Sequence, residues 1–172
     1  MAIERADVGS WVVRCSPDEK WDYWRALDEG QEIAGVPYPS AWSLGTTYRN
    51  ELIEVGDLIV LYVGGAKNPA VVEIGVVTEG VHVDRWDPRY TVDPSKKGVP
   101  MPFVGYDAVI LTTPVPRTAL KSDHRFTGSE LMRMRMAPNP LYFTPDESRA
   151  LADFIDQQDL QAAGWPGRLA KT

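Results

Sequence analysis

"VGDLIVLYVGGAKNPAVVEIGVVT", residues 55–78, decides the fold. Residues 58–63 are apolar without interruption, and residues 70–78 are rich in branched aliphatic side chains. Both runs predict strands, and the first is too apolar for a strand that has one face in water. Residues 64–69 contain two glycines and a proline, which is typical of a turn. The stretch therefore predicts a β-hairpin whose first strand is buried.

The segment upstream predicts a strand that runs into a helix. Residues 11–15 form a short apolar run, and the Ser-Pro-Asp-Glu sequence at 16–19 has the form of a capping box with proline at the first helical position. We expect this helix to run from Ser16 to about Leu27. In such a helix Trp21 and Trp24 would lie on the same face.

The rest of the chain predicts a mixed α and β architecture. A long polar loop spans residues 84–102, and loops of that length in a compact domain are typically functional. The other predicted elements are a strand at 106–112 and short helices opened by Thr46 or Thr47, by Thr127 and by Thr144. Because strands and helices do not alternate, we predict the α+β class, a small mixed β-barrel decorated with helices. We expect a single domain over 10–163, an N-terminal tail over 1–9 and a loose C-terminal tail over 164–172.

Composition predicts a cytoplasmic protein without metal or cofactor. The 172 residues include one cysteine and two histidines, so an internal disulfide is impossible and a zinc or iron–sulfur site is not expected. No apolar run reaches the ~20 residues that cross a bilayer, and the N-terminus lacks the apolar core of a secretory signal. We therefore expect no membrane association.

The charges are unevenly distributed along the chain. The formal net charge is −6, yet residues 84–136 contain nine Lys and Arg against six Asp and Glu. This excess of positive charge predicts a surface that could face phosphate groups. Solvated charges without a partner are the simpler interpretation of the same pattern.

The common catalytic motifs are missing from the sequence. It contains no Gly-x-Gly-x-x-Gly after a strand, no Walker loop and no Gly-x-Ser-x-Gly elbow. Cys15 next to a predicted helix N-terminus could have a lowered pKa, although a small buried residue explains it as well. We therefore expect a protein that is not an enzyme, with a small-molecule enzyme that uses Cys15 as an alternative.

Aromatic residues give the stronger signal. Trp11, Trp21, Trp24, Trp42 and Tyr62 lie on predicted elements that are neighbours in sequence and commonly pack together. Converging rings can stack on an unpaired nucleobase while nearby hydroxyls read its edge. Core packing is the competing interpretation, and it would leave an interaction subunit whose aromatics are structural. Trp42 fits that interpretation least, because it lies in a segment of Pro, Ser and Gly.

Four sequence blocks in order resemble the EVE domains, a family of the PUA-like superfamily related to YTH and ASCH domains. The blocks are "WVVRCSPDE", "AWSLGTTYRNELIEVGDLIVLYV", "AVVEIGVVTEG" and "YTVDPSKKGVPMPFVGYDAVIL", which together cover about residues 10–112. The resemblance implies a PUA-like β-barrel that binds nucleic acid. It also implies recognition of a modified base, such as a modified cytosine in DNA or a modified base in RNA.

The resemblance also implies which residues form the site. Transferred by position, and joined by Trp21 from the aromatic cluster, the predicted ligand-binding residues are Arg14, Cys15, Ser16, Trp21, Trp42, Ser43, Arg49, Asn50 and Tyr62. In the long loop the predicted phosphate contacts are Arg85, Arg89, Lys96 and Lys97. Because the surface is only weakly basic, we expect pocket contacts or a protein partner to supply part of the affinity.

Overall fold

A computed structural model describes residues 2–65 and 67–169 of the chain. The strands are β1 Ser10–Cys15, β2 Tyr38–Ser43, β3 Leu58–Val63, β4 Ala70–Asp84, β5 Met101–Pro116 and β6 Leu141–Phe143. The α-helices are α1 Tyr23–Gly30, α2 Arg117–Ser122, α3 Glu130–Arg133, α4 Pro145–Ala152, α5 Gln157–Ala162 and α6 Trp165–Leu169. Short 3-10 helices occur at Arg5–Asp7, Tyr48–Leu52, Pro94–Lys96 and His124–Phe126.

The six strands form one curled sheet, a half-barrel in the order β2-β5-β4-β3-β1-β6. The predicted hairpin is confirmed as β3 and β4, which pair antiparallel, and β1 lies parallel to β3. The long β4–β5 ladder shifts register between Val71 and Glu73 and again between Val77 and His82. Such irregularities bend a sheet and increase its twist. The predicted α+β class, a curled β-sheet decorated with helices, is confirmed.

Both faces of the sheet are buried, which explains the apolar run in β3. Leu58, Val60 and Tyr62 point to a cluster that α2–α6 cover. Ile59 and Leu61 point to the opposite cluster, which includes Trp11, Tyr23 and Trp42. Alternate residues of a strand face opposite sides, so a strand covered on both sides has no polar face.

The first predicted helix begins later than the sequence indicates. Residues 17–20 form turns, and α1 begins at Tyr23 with the Asp22 carboxylate as its N-cap. Trp21 instead forms an isolated β-bridge with Thr91. This long-range pairing overrides the local capping signal. Consequently Ser16 caps no helix, and Trp24 is 50% exposed on α1 rather than packed beside Trp21.

The C-terminal segment is not loose over its described residues, which corrects the expectation for 164–169. Residues 165–169 form α6, and the Trp165 ring is fully buried. Its indole N–H donates to the carbonyl oxygen of Gly75 at 2.9 Å. A buried tryptophan with a bonded N–H anchors this end to β4. Residues 170–172 lie outside the described residues.

Several other boundaries differ from the predicted ones. The strands predicted at 70–78 and 106–112 extend to 70–84 and 101–116 because they pair with each other along most of their length. The helix predicted from Thr127 is capped by Ser129, whereas the capping box at Thr144 is confirmed on α4.

Among the described helices, none combines the length and apolarity that a bilayer crossing needs.

One buried carboxyl group lies inside the sheet. Glu73 on β4 is fully buried, and its Oε2 accepts hydrogen bonds from the hydroxyls of Tyr23 and Tyr38, the latter at 3.0 Å. Its Oε1 has no hydrogen-bond partner among the described residues. Burial raises the pKa of Glu73 to about 7, although the two tyrosine hydrogen bonds favour the carboxylate. The ionised form is therefore disfavoured in the folded protein.

We expect this group to make stability depend on pH. Its contribution is complete below the ordinary glutamate pKa of about 4.3 and is lost as pH rises through about 7. Glu73→Gln cannot ionise, so its stability relative to wild type should increase by about 3 kcal/mol between pH 5 and pH 8. Urea unfolding of both proteins at several pH values measures this difference. A stability difference that stays constant with pH would contradict the expectation.

Candidate functional site

Several of the predicted site residues line one open cleft of about 680 Å³, which we call the basic cleft. Its floor is formed where β1, β2 and β3 end, and its walls include Trp86 and Lys96 from the loop after β4 and residues 135–139 from the loop before β6. Because β1 and β3 are parallel and in register, Arg14 lies beside Tyr62 at the same edge of the sheet. The predicted residues that line the basic cleft are Arg14, Cys15, Ser16, Trp42, Ser43, Tyr62 and Lys96.

The side chain of Asn139 hydrogen-bonds to the backbone of the strand ends that form the floor of the basic cleft. Its side-chain Oδ1 accepts from the backbone N–H of Arg14 at 2.8 Å. Its Nδ2 donates to the carbonyl oxygens of Arg14 at 3.1 Å and Ser43 at 3.2 Å. One amide thereby joins the ends of β1 and β2 to the 134–139 loop. No local sequence pattern indicates this role, because Asn139 lies far along the chain from both strands.

Arg14 holds a wall of the basic cleft through its side chain. The guanidinium donates to the carbonyl oxygens of Met134 at 2.9 Å, Arg135 at 2.8 Å and also Ala137. Burial lowers the pKa of this guanidinium from its ordinary value. With these three backbone bonds made, the Arg14 side chain supports the loop that borders the site.

Trp42 lies at the end of β2 rather than in a polar loop. It is only 7% exposed, and its indole N–H donates to the Arg14 carbonyl oxygen at 3.0 Å. Trp21 packs edge-on against it with ring centroids 5.3 Å apart, and Tyr90 packs on Trp21 at 5.5 Å. Trp42 is therefore both a core residue and part of the cleft lining, whereas Trp21 lies outside that lining.

Arg49 and Asn50 lie outside the cleft lining. Arg49 forms a largely buried ion pair with Glu130 on α3, with N–O distances of 2.6 and 2.8 Å. This hydrogen-bonded partner raises the pKa of Arg49. Asn50 donates from Nδ2 to the carbonyl oxygen of Gly45 at 2.8 Å. Both side chains support the backbone behind the basic cleft.

Of the four cations predicted in the long loop, Lys96 alone lines the basic cleft. Arg85 donates to the Gly98 carbonyl oxygen at 3.0 Å, and Arg89 pairs with Asp87 at 2.7 Å. Lys97 follows Lys96 in the chain but is not part of the lining. Thus only one of the four cations that were predicted to contact phosphate is part of the described cleft lining.

The charges of the cleft lining are mostly positive. Glu19 is the one acidic residue among the described lining residues, against the cations Arg14, Lys20, Lys96, Arg117 and Arg135. Lys20, Arg117 and Arg135 were not among the predicted site residues, and neither were Trp86 and Met136, which also line the cleft. For Arg117 and Arg135, the excess of positive charge over residues 84–136 was the available signal in the sequence.

Cys15 has the opposite properties from an activated nucleophile. Its side chain is buried, and its thiol donates to the Trp21 carbonyl oxygen at 3.4 Å. Burial raises the pKa of the thiol, with further increases from nearby carboxyl groups. The hypothesis of a lowered pKa at Cys15 is therefore wrong, because no helix begins beside it.

Among the described residues, no cluster of His, Cys, Asp and Glu side chains is suited to a metal ion.

A sequence model of the EVE domain family matches residues 10–141 of the chain. Among solved structures, a hypothetical protein from Leishmania major superposes with a TM-score of 0.60 at 18% identity, covering 90% of this chain and 97% of that one. A Pseudomonas syringae protein gives 0.58 at 14% identity, covering 84% and 98%. Human THYN1 protein, in complex with DNA that contains 5-methylcytosine, gives 0.54 at 19% identity, covering 84% and 96%. These structures support the fold, and no curated protein matches the sequence.

Proposed function

Because this chain belongs to the EVE domain family, we propose that it binds nucleic acid in the basic cleft and holds a modified base there. The lining residues that serve this purpose would be the rings of Trp42, Tyr62 and Trp86 and the hydroxyls of Ser16 and Ser43. The proposed ligand is DNA that carries a modified cytosine.

The observation that carries the proposal is the local reversal of charge. The whole protein has a formal net charge of −6, yet the described residues that line the basic cleft include five cations and one carboxylate. Cations gathered in a concave site attract an anionic ligand and raise its local concentration. Nucleic acids supply such a ligand, since phosphate contacts dominate their binding by proteins.

The size and chemistry of the basic cleft suit a base. Its volume of about 680 Å³ lies within the ~300–1,000 Å³ typical of ligand sites. A base rotated out of a duplex can stack on an aromatic face while hydroxyl and backbone groups read its edge. Ser16 is available for this reading because it caps no helix.

Modified cytosine in DNA is the first ligand to test. Human THYN1 protein, which shares the fold, was solved with DNA containing 5-methylcytosine. The basic cleft offers no activated nucleophile among its described residues, since the Cys15 thiol is buried and its pKa is raised. We therefore propose binding rather than catalysis, with a protein partner as a further source of affinity.

Fluorescence anisotropy with labelled oligonucleotides tests the proposal. We expect the protein to bind a duplex with one central 5-methylcytosine more tightly than the same duplex with cytosine, and both more tightly at low salt. An RNA of the same sequence with one 5-methylcytidine is the comparison that separates DNA from RNA. Equal binding of the methylated and unmethylated duplexes would contradict the modified-base part of the proposal.

A triple variant locates the phosphate contacts. Replacing Lys96, Arg117 and Arg135 with alanine should reduce the slope of log Kd against log salt by about 3, since each phosphate contact contributes about 0.9. The loss should be similar for methylated and unmethylated duplexes, because phosphate contacts carry no sequence information. Replacing Arg85, Arg89 and Lys97 removes the same charge outside the lining and is the matched control. A reduction in slope from the control that equals or exceeds that of the triple variant would contradict this assignment of the phosphate contacts to the cleft lining.

A further inference from the structure

We propose that Met136 is a wedge that enters the base stack when a base is taken into the basic cleft, an inference that rests on the proposed function of that cleft. The wedge would occupy the gap that the displaced base leaves in the duplex. If Met136 acts in this way, the protein takes its base from double-stranded DNA.

The exposure of Met136 is the first observation. Its side chain is 93% exposed, the largest fraction among the large hydrophobic residues that the structure describes. It also lines the basic cleft, at the end of the Met-Arg-Met-Arg-Met sequence over 132–136. A large apolar side chain at the rim of a polar, cationic cleft is thus left almost entirely open to solvent by the described residues.

The loop that carries Met136 is held from both ends. Arg14 donates to carbonyl oxygens on either side of it, those of Arg135 and Ala137. Beyond it, Asn139 is bonded to the backbone of β1 and β2. Pro138 packs so closely on Gly45 that a Cβ added to the glycine would lie 2.9 Å from the Cβ of Pro138. A side chain that pushes base pairs apart must be carried by a backbone segment that is held in place, and this loop is such a segment.

The chemistry of the neighbouring residues agrees with this role. Arg135 precedes Met136 in the chain, and both residues line the basic cleft. Proteins that unstack DNA insert Met, Leu, Ile, Phe or Pro between base steps while cations contact the backbone. Methionine is unbranched and flexible, which allows it to fill an irregular gap.

The test compares one 5-methylcytosine strand as a duplex and as a single strand. A wedge acts only where a stack must be opened, so Met136→Ala should weaken duplex binding about ten-fold and single-strand binding by less than about two-fold. Met136→Leu retains an apolar wedge and should bind the duplex within about three-fold of wild type. Anisotropy at one fixed salt concentration measures all six affinities.

Met134→Ala is the matched control, since Met134 lies in the same loop but outside the cleft lining. It should leave both affinities unchanged. Equal losses on duplex and single strand, or no loss for Met136→Ala on the duplex, would overturn the wedge while leaving the cleft as a binding site. A wild-type protein that binds neither strand form would overturn the proposed function and the wedge with it.

Discussion

Truncation of Trp42 to alanine is expected to destabilise the protein by about 3–5 kcal/mol, the range for a buried aromatic side chain. The variant loses the packing on Trp21 and the indole bond to the Arg14 carbonyl oxygen. Binding of nucleic acid by the remaining folded protein should also weaken, by about 1–3 kcal/mol for one lost base–ring stack. Chemical denaturation measures the first effect, and anisotropy well below the melting temperature measures the second.

Two variants separate these effects of Trp42. Trp42→Phe keeps a ring but removes the N–H donor, so it should lose less stability and keep most of the binding. Trp24 is half exposed on α1 and is not part of the cleft lining. Trp24→Ala should therefore have little effect on stability or on nucleic-acid binding. An unchanged melting temperature in Trp42→Ala would indicate that the ring lies in a polar loop, as the sequence suggested.

Arg49→Ala is expected to destabilise the fold by about 3–5 kcal/mol, because it leaves the buried Glu130 carboxylate without its partner. The guanidinium also lies over the Tyr142 ring, 5.4 Å from its centroid. Since Arg49 is outside the cleft lining, the folded variant should bind oligonucleotides with the affinity of wild type. Urea unfolding and anisotropy on the same preparation measure both quantities.

A double variant tests the physical cause of the Arg49 effect. Arg49→Met combined with Glu130→Leu replaces both charges with apolar groups and should restore most of the stability lost by either change alone. Arg25→Ala breaks the exposed Arg25–Glu29 pair and should destabilise the protein far less than Arg49→Ala, because water screens exposed charges. Weakened binding with full stability in Arg49→Ala would instead place this residue in the site, as the family resemblance implied.

Strands β1, β3, β4 and β5 could be predicted because their signals are local, whereas β2 and β6 were not predicted as strands. The apolar run at 58–63 and the hairpin at 64–69 specify β3 and its turn from neighbouring residues alone. The helix at Ser16 could not be located correctly, because Trp21 pairs with Thr91, 70 positions away in the chain. The burial of Trp165 was missed for the same reason, since its partner Gly75 lies on β4.

The floor of the basic cleft could be predicted more fully than its walls. Ser16, Trp42, Ser43 and Tyr62 lie at strand ends, and the family resemblance assigned them by position. Arg117, Arg135, Met136 and Asn139 come from the second half of the chain and reach the cleft only through the curl of the sheet. The charge excess over 84–136 was a general signal for Arg117 and Arg135, but nothing in the local sequence separates Met136 and Asn139 from ordinary surface residues.

The anchoring of the 134–139 loop through main-chain oxygens has a consequence for divergence within a family. Arg14 contacts carbonyl groups of residues 134, 135 and 137, and every amino acid supplies a carbonyl group. The side chains at these positions and at 136 can therefore change without releasing the loop. Ligand preference could drift at this rim while the scaffold beneath it stays constant. The same property makes positions 134–137 a suitable place to randomise when a domain with a new base preference is sought.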